Sequence, residues 1–133
     1  ELKIKEKVHQ LNLDNAVIFY GLTSKPNELL QAMDVFVFPS RWEGLSVALI
    51  EAQAAGVPCI VTDSERISKK SAITDLVAYV PLEDEKLWAQ KILEESEREK
   101  KDTSSMIRDA GYDIHIEADK LAAYYESLIK GNC

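Results

Sequence analysis

Four short runs of β-branched and aromatic residues constrain the fold more than any other feature of this sequence. They occupy residues 17–20, 35–38, 59–62 and 77–80, and all but the last are almost continuously hydrophobic. Strands buried on both faces of a parallel sheet have this pattern, whereas a strand with one wet face alternates. Helical segments between the runs indicate right-handed crossovers. The sequence therefore predicts an α/β, Rossmann-like parallel sheet of about four strands, with helices on both faces.

The helices are predicted from their end signals and their apolar periodicity. One follows Pro26, and a second covers about 45–55, where Gly56 and Pro58 end it. Two amphipathic helices are predicted over about 84–99 and 116–130. The side chains expected to face inward from them are Leu87, Ala89, Ile92, Leu93, Leu121, Ala122, Tyr124, Tyr125, Leu128 and Ile129.

Composition limits the partners and the compartment. The 133 residues suit one domain, and their net charge of −7 argues against nucleic acid while leaving a small phosphorylated ligand possible. The two cysteines, Cys59 and Cys133, indicate no structural disulfide, which favours the cytoplasm. No signal peptide or membrane-length apolar run is visible. Because the chain begins with Glu1, we expect residues 1–133 to be one domain of a longer protein, truncated on its N-terminal side.

The segment from about 38 to 58 carries the chemistry. In an α/β sheet, ligands bind beyond the carboxyl ends of the strands, where the next helices begin. A strand is predicted to end near Phe38, and a helix starts close to Leu45. The backbone amides of Gly44, Leu45 and Ser46, together with the helix dipole, form a predicted site for a diphosphate.

Glu51 is the second candidate in this segment. Its neighbours three and four positions away are Val47, Ala48, Ala54 and Ala55, so the helix is apolar almost all round and is predicted to be buried. A carboxylate there needs a hydrogen-bond partner. It lies roughly 7–8 Å along the axis from the helix start, about the span from a diphosphate to ribose hydroxyls. Pairing with a neighbouring cation, or reaching solvent, remains the alternative.

The same segment resembles the E-x7-E signature of the retaining glycosyltransferases of family four, which have the GT-B fold. Glu43 and Glu51 are the two glutamates, set within residues 39–44 and 51–58, with further similarity at 17–21, 29–35 and 111–114. The likeness is greatest to bacterial members that build exopolysaccharide, capsule or lipopolysaccharide. It implies that the chain is the C-terminal, donor-binding domain.

The resemblance assigns roles to the candidate residues. Glu51 would hold the donor ribose, and the catalytic-site Glu43 would contact hydroxyls of the transferred sugar. The amides of Gly44, Leu45 and Ser46 would meet the sugar and diphosphate, and the backbone of Tyr20, Gly21 and Leu22 would lie against the base. Family members generally need no metal or other cofactor. The sequence agrees, with two histidines and no D-x-D at a strand end. A UDP-linked donor is expected from its frequency in the family.

The chain departs from the family pattern in two places. The Arg and Lys that bind the diphosphate in relatives precede the counterpart of Val17, so we expect them outside this chain. After Asp63, paired glycines are replaced by residues 64–70, where Lys69 and Lys70 either reach the donor or are solvated. Trp42 could stack on a sugar or simply pack, and Arg41 could bind phosphate or form an ion pair.

The function predicted is donor binding within a glycosyltransferase that moves a sugar from a nucleotide-diphospho-sugar to a glycan or lipid-linked acceptor, with retention. The acceptor would bind to the missing N-terminal domain, and the full-length protein could associate peripherally with the inner face of the membrane. Two alternatives remain open: a nucleotide-sugar epimerase-like relative with the GT-B fold, and a non-catalytic Rossmann-like interaction module.

Overall fold

The computed structural model describes residues 2–130. In chain order the elements are α1 (Leu2–Gln10), α2 (Pro26–Gln31), β1 (Phe36–Phe38), α3 (Val47–Ala54), β2 (Cys59–Thr62), a short 3-10 helix (Lys69–Ser71), β3 (Val77–Val80), α4 (Glu85–Ser96), α5 (Ser104–Asp109) and α6 (Ile114–Lys130). Strands and helices alternate as the sequence predicts, and α5 is an additional helix of six residues.

The sheet has three parallel strands in the order β1-β2-β3. Central β2 is buried along its whole length because its side chains alternate between two cores. On one face, Cys59 and Val61 pack with residues of α2 and α3, including Leu30 and Leu49. On the other face, Ile60 packs with Trp88 of α4. The Rossmann-like α/β class, with helices on both faces, is therefore confirmed.

The predicted fourth strand at residues 17–20 is wrong. This segment has no strand pairing and runs as an irregular connection in which Ile18 is 84% exposed. A strand exists only where a neighbour accepts and donates its backbone hydrogen bonds. Within the described residues the sheet ends at β1, which pairs with β2 alone. The run is hydrophobic, but within residues 2–130 no partner strand lies beside it.

Helix α3 is fixed at both ends by local chemistry. It begins at Val47 because the Ser46 hydroxyl caps it, accepting a hydrogen bond from the Leu49 amide at 3.3 Å. Beyond its end, Gly56 has φ +72°, and an added Cβ would lie 2.3 Å from the Lys101 carbonyl oxygen. Only glycine fits that backbone and that approach. The helix is thus two residues shorter at its start than predicted.

Helix α4 packs differently from the prediction. Leu87 and Ile92 are partly buried against the core as expected, but Ala89 is exposed and Leu93 is 70% exposed. Trp88 takes the inner position instead, and its indole nitrogen donates to the Pro81 carbonyl at 2.9 Å. A large ring with a satisfied polar end buries more area than either smaller residue.

Helix α6 begins at Ile114, where the Asp113 carboxylate accepts hydrogen bonds from the His115 and Ile116 amides. Its predicted inward face is wrong, since no residue of this helix is buried and Leu121 is 53% exposed. The amphipathic pattern is present, but nothing described in the chain covers it. In the part of the chain that the structure describes, no helix is long and apolar enough to cross a membrane.

Candidate functional site

The first turn of α3 lies beyond the carboxyl end of β1, as the sequence predicts, but the Ser46 amide is not free as expected. Ser46 is 4% exposed, and its amide donates to the Ser71 hydroxyl oxygen at 2.8 Å. That amide is therefore already satisfied within the protein, and a contact of Ser46 with the donor stays a prediction. Its hydroxyl is likewise used as the helix cap.

Other amides at the same helix end are available. Within residues 2–130, the backbone N–H groups of Gly44, Leu45, Val47 and Ala48 donate to no protein acceptor. Gly44 is exposed, with open space where a Cβ would be. Sequence analysis named Gly44 and Leu45 but missed Val47 and Ala48. The signal was present: a serine that caps a helix leaves the next two amides unpaired.

Glu51 lies in the open, and the predicted buried surroundings are wrong. One side of α3 is covered, through Leu49, Ile50 and Gln53, whereas Glu51 and Ala48 on the other side are exposed. The helix is apolar almost all round, but only one side of it is buried. Among the described residues Glu51 forms no ion pair and its side chain reaches solvent, so its role as a ligand stays a prediction. Glu51 is part of a cavity of about 230 Å³, whose other lining residues are Pro26, Asn27, Leu30, Gln31, Ala54 and Ala55.

Glu43 is held by its backbone next to the loop that follows β2. Its amide donates to the Arg66 carbonyl at 3.1 Å, and its carbonyl accepts from the Ser68 amide at 3.0 Å. The side chain is half-buried and has no hydrogen-bond partner in the described structure. Glu43 does not line the cavity beside Glu51. Glu43 therefore lies in the loop before α3 and Glu51 lies within α3, but the two side chains do not share a cavity.

Tyr20, Gly21 and Leu22 lie in an exposed, irregular segment before α2. Tyr20 is 63% exposed and Leu22 fully exposed, while Gly21 has φ +76° in an irregular segment. None of the three lines the cavity beside Glu51. Their contact with a base stays a prediction.

Gln53, which sequence analysis missed, holds the start of α3 in place through buried hydrogen bonds. The amide of Gln53 is fully buried and donates to the Ser71 carbonyl at 2.6 Å. Its carbonyl oxygen accepts from the Ile73 and Thr74 amides at 2.8 and 2.9 Å. Since Ser71 also binds the Ser46 amide, Gln53 ties the start of α3 to the chain before β3. A polar amide inside an otherwise apolar helix was the available signal.

A second cavity, here called the polar cavity, has a volume of about 440 Å³. Its lining residues are Arg41, Trp42, Thr62, Asp63, Ser64, Arg66, Leu82 and Glu83. The Arg66 guanidinium lies 4.2 Å from the centre of the Trp42 ring, a cation–π contact. Trp42 is 66% exposed, so it is not part of the core. Arg41 forms no ion pair in the described structure.

The lysines after β2 are partly engaged. Lys69 pairs with Asp63 at 3.4 Å and lies 4.7 Å from the centre of the Tyr79 ring. Burial raises the pKa of the Tyr79 hydroxyl. Lys70 is exposed. Within residues 2–130 no group of three or more His, Cys, Asp or Glu could hold a metal ion. Independence of metal nonetheless stays a prediction.

Parallel strands with helices on both faces, one of them a capped helix with unpaired first-turn amides, define an α/β, Rossmann-like domain. The chain belongs to the glycosyl transferases group 1 family, whose model matches residues 1–97. The resemblance identified from the E-x7-E segment is thereby confirmed. Its assignment to the C-terminal domain stays a prediction.

Three relatives show the range of similarity. The putative glycosyltransferase EpsF of Bacillus subtilis is 43% identical over 91 residues, covering 68% of this chain and 23% of EpsF. The lipopolysaccharide core biosynthesis mannosyltransferase LpsB of Rhizobium meliloti is 31% identical across 98% of this chain and 39% of its own length. UDP-Gal:alpha-D-GlcNAc-diphosphoundecaprenol alpha-1,3-galactosyltransferase of Escherichia coli is 43% identical over 53 residues, which are 40% of this chain and 14% of that enzyme. The chain thus spans well under half of each relative. No solved structure matches it significantly.

Proposed function

We propose that this chain binds the donor in a glycosyltransferase that moves a sugar from a nucleotide-diphospho-sugar to a glycan or lipid-linked acceptor, with retention of configuration. One observation supports the proposal above the others. The first turn of α3 has unpaired amides, at Gly44, Leu45, Val47 and Ala48, within the segment that carries the family signature. The donor's diphosphate is the group that such a helix end would bind.

The neighbouring side chains suit the rest of the donor. Glu51 lies five positions after the cap Ser46, hence roughly 7.5 Å along the helix axis, and its carboxylate would accept from ribose hydroxyls. Glu43, fixed by its backbone before the helix, would contact hydroxyls of the transferred sugar. The backbone of Tyr20, Gly21 and Leu22, which does not line the cavity beside Glu51, would contact the base.

Catalysis would rest on stabilising the departing diphosphate. Preorganised amides act strongly where charge develops, because they need no reorganisation during the step. The chain itself has a net charge of −7. We therefore propose that cations for the diphosphate, and the acceptor site, belong to a separate N-terminal domain, and that residues 1–133 form the donor domain alone. No metal or cofactor is required in this scheme.

The relatives' names suggest the setting. One transfers galactose to a diphosphoundecaprenol-linked sugar, and another acts in lipopolysaccharide core synthesis. Acceptors of that kind support a cytoplasmic protein that works at the inner face of the membrane. They also support UDP as the nucleotide, since UDP-Gal is named for the first of them.

A thermal-shift screen against UDP-glucose, GDP-mannose and ADP-glucose tests donor binding. We expect one of the three to raise the melting temperature of the chain, and Glu51→Ala to remove most of that rise. Glu97→Ala, at an exposed glutamate on the C-terminal end of α4, is the matched control and should respond like the unaltered chain.

The outcomes separate the rival functions. No response to any nucleotide sugar would contradict the proposal and favour a non-catalytic interaction module. Conversion of the donor sugar without an acceptor would instead indicate an epimerase-like relative. Glu43→Ala, run in parallel, should retain binding of the free nucleotide while weakening that of the nucleotide sugar.

A further inference from the structure

Helix α6 presents an apolar face that no other described element covers. Every residue from Ala118 to Lys130 is exposed, and no residue of this 17-residue helix is buried. A helix of this length gains most of its stability in a protein from packing of its apolar face, because propensity alone leaves it marginal in water. Within residues 2–130 that packing is missing, so the face is open to a partner.

The spacing along α6 is that of a helix that pairs with another helix. Positions 114, 118, 121, 125 and 128 are separated by alternating steps of four and three residues, and all five are aliphatic or aromatic. This is the heptad spacing of a two-stranded seam. The charged residues of the helix occupy other positions. With their two neighbours on the same face, these residues form what is here called the α6 seam: Ile114, Ala118, Leu121, Tyr124, Tyr125, Leu128 and Ile129.

The area of the α6 seam is that of a protein interface. Its six large side chains are between 47% and 74% exposed. At roughly 200 Å² for a large apolar side chain, these fractions correspond to roughly 700 Å² of surface. Two such faces would bury about 1,400 Å² in total, which is within the range of stable, specific interfaces. The α6 seam is therefore large enough to pair with a second copy of itself.

The order of small and large residues along the seam favours an antiparallel pair. Ala118 lies in the first half of the helix, whereas Tyr124, Tyr125 and Leu128 lie in the second half. A parallel pair would set Tyr125 against Tyr125 and Ala118 against Ala118, which crowds one layer and leaves a void in the other. An antiparallel pair packs the small half of one helix against the large half of its partner, and the opposed helix dipoles attract.

The charges beside the seam argue against a lipid surface as the occupant. Helices that lie on anionic membranes carry an excess of Lys and Arg on their polar face. In α6, Lys120 and Lys130 are outnumbered by acidic residues, and they already pair with Glu117 and Glu126 at 2.6 and 3.6 Å. A second copy of the chain offers the apolar face without requiring that excess of positive charge.

We propose that two copies of this chain associate through the α6 seam as an antiparallel, two-fold symmetric pair. Such an interface is self-complementary, because the same face is used on both copies. The inference is independent of the proposed function, since α6 contributes no residue to the candidate donor site.

Sedimentation velocity of the 133-residue chain over a range of concentrations tests the association. At roughly 100 µM the chain should sediment with twice its mass of 15.0 kDa, and it should dissociate on dilution without forming larger species. Because each copy has a net charge of −7 and the seam is apolar, added salt should strengthen the pair. A monomer at every concentration would overturn the proposal and leave the face to another partner. A mixture of larger oligomers, or dissociation by salt, would also overturn it.

Two substitutions on the same helix check that the seam is responsible. Leu121→Glu should weaken the pair about a hundredfold or more, because each pair would then bury two unpaired carboxylates. Ala123→Glu is the matched control, since it adds the same charge to an exposed position outside the seam and should leave the association unchanged. The NMR signal of the buried Trp88 indole should be the same in both variants, which separates loss of pairing from unfolding. Equal association of the two variants would refute the assignment.

A spin label determines the orientation of the two helices. The label is placed on Lys130→Cys in a Cys133→Ser background, where the buried Cys59 does not react, and this chain is mixed with unlabelled, isotope-enriched chain. An antiparallel pair should broaden the amide signals of residues 114–118 in the partner copy. Broadening of residues 126–130 instead would overturn the antiparallel arrangement.

The two proposals fail separately. If Leu121→Glu is monomeric, it should still respond to nucleotide sugars as the unaltered chain does. Association through α6 without any nucleotide response would leave the pair standing and contradict the proposed function.

Discussion

Replacing Gln53 with methionine should cost more stability than any surface change of similar size. The side-chain amide of Gln53 supplies the partner for the Ser71 carbonyl, at 2.6 Å, and for the Thr74 amide, at 2.9 Å. Ser71 and Thr74 are both buried, so neither group can turn to water. Methionine fills a similar volume but pairs with neither. At about 1–3 kcal/mol for each stranded group, the free energy of unfolding should fall by roughly 2–6 kcal/mol.

Urea unfolding followed by circular dichroism measures this loss. A domain of this kind has about 5–15 kcal/mol of stability in total, so the midpoint should drop sharply or the chain should unfold without urea. Gln90→Met is the matched control, because Gln90 bonds to Glu94 on the exposed side of α4 and should cost about 0.5 kcal/mol or less. A Gln53→Met chain within about 1 kcal/mol of the unaltered protein would refute the reasoning.

Two further predictions concern backbone and burial. Gly56→Ala should destabilise the chain by more than about 2 kcal/mol in thermal melts, because the φ of Gly56 is +72° and a Cβ would lie 2.3 Å from the Lys101 carbonyl oxygen. Gly44→Ala is the control, because open space surrounds Gly44, and it should change stability by about 0.5 kcal/mol or less. Burial raises the pKa of the Cys59 thiol to about 12 from 9.0, so in a Cys133→Ser background iodoacetamide should label it at pH 9 only after unfolding. Because the thiol ionises at a lower pH in the unfolded chain than in the folded one, the contribution of Cys59 to the free energy of unfolding should be complete below pH 9 and be lost as the pH rises towards about 12. Fast labelling of the native chain at pH 9 would contradict this.

The parallel sheet could be predicted from sequence because its central strand is defined by composition. The run 59–62 is apolar throughout, and burial on both faces is the only arrangement that suits it. The run 17–20 looks much the same, yet it forms no strand. A hydrophobic run indicates that a segment can form a buried strand. Whether it does depends on a neighbouring strand that accepts and donates its backbone hydrogen bonds.

The helix that carries the candidate site illustrates a second limit. Sequence placed α3 within two residues of its observed start and found Gly44, Leu45 and Glu51. It wrongly made Glu51 a buried residue, because periodicity reports which faces are apolar and not which of them are covered. It also counted the Ser46 amide as available. That amide is consumed by Ser71, a contact across 25 positions that no local pattern reveals.

The proposed donor site depends most on the pairing between Glu51 and the ribose of a nucleotide held at α3. A double-mutant cycle tests it directly, by calorimetric titration of the unaltered chain and Glu51→Ala with UDP and with 2′,3′-dideoxy-UDP, or with the GDP or ADP pair if the screen selects that base. We predict that Glu51→Ala weakens binding of the diphosphate with intact ribose by about tenfold or more, the value of a charged hydrogen bond, and leaves the affinity for the dideoxy compound almost unchanged. An equal loss for both compounds, or no loss for either, would contradict the assignment.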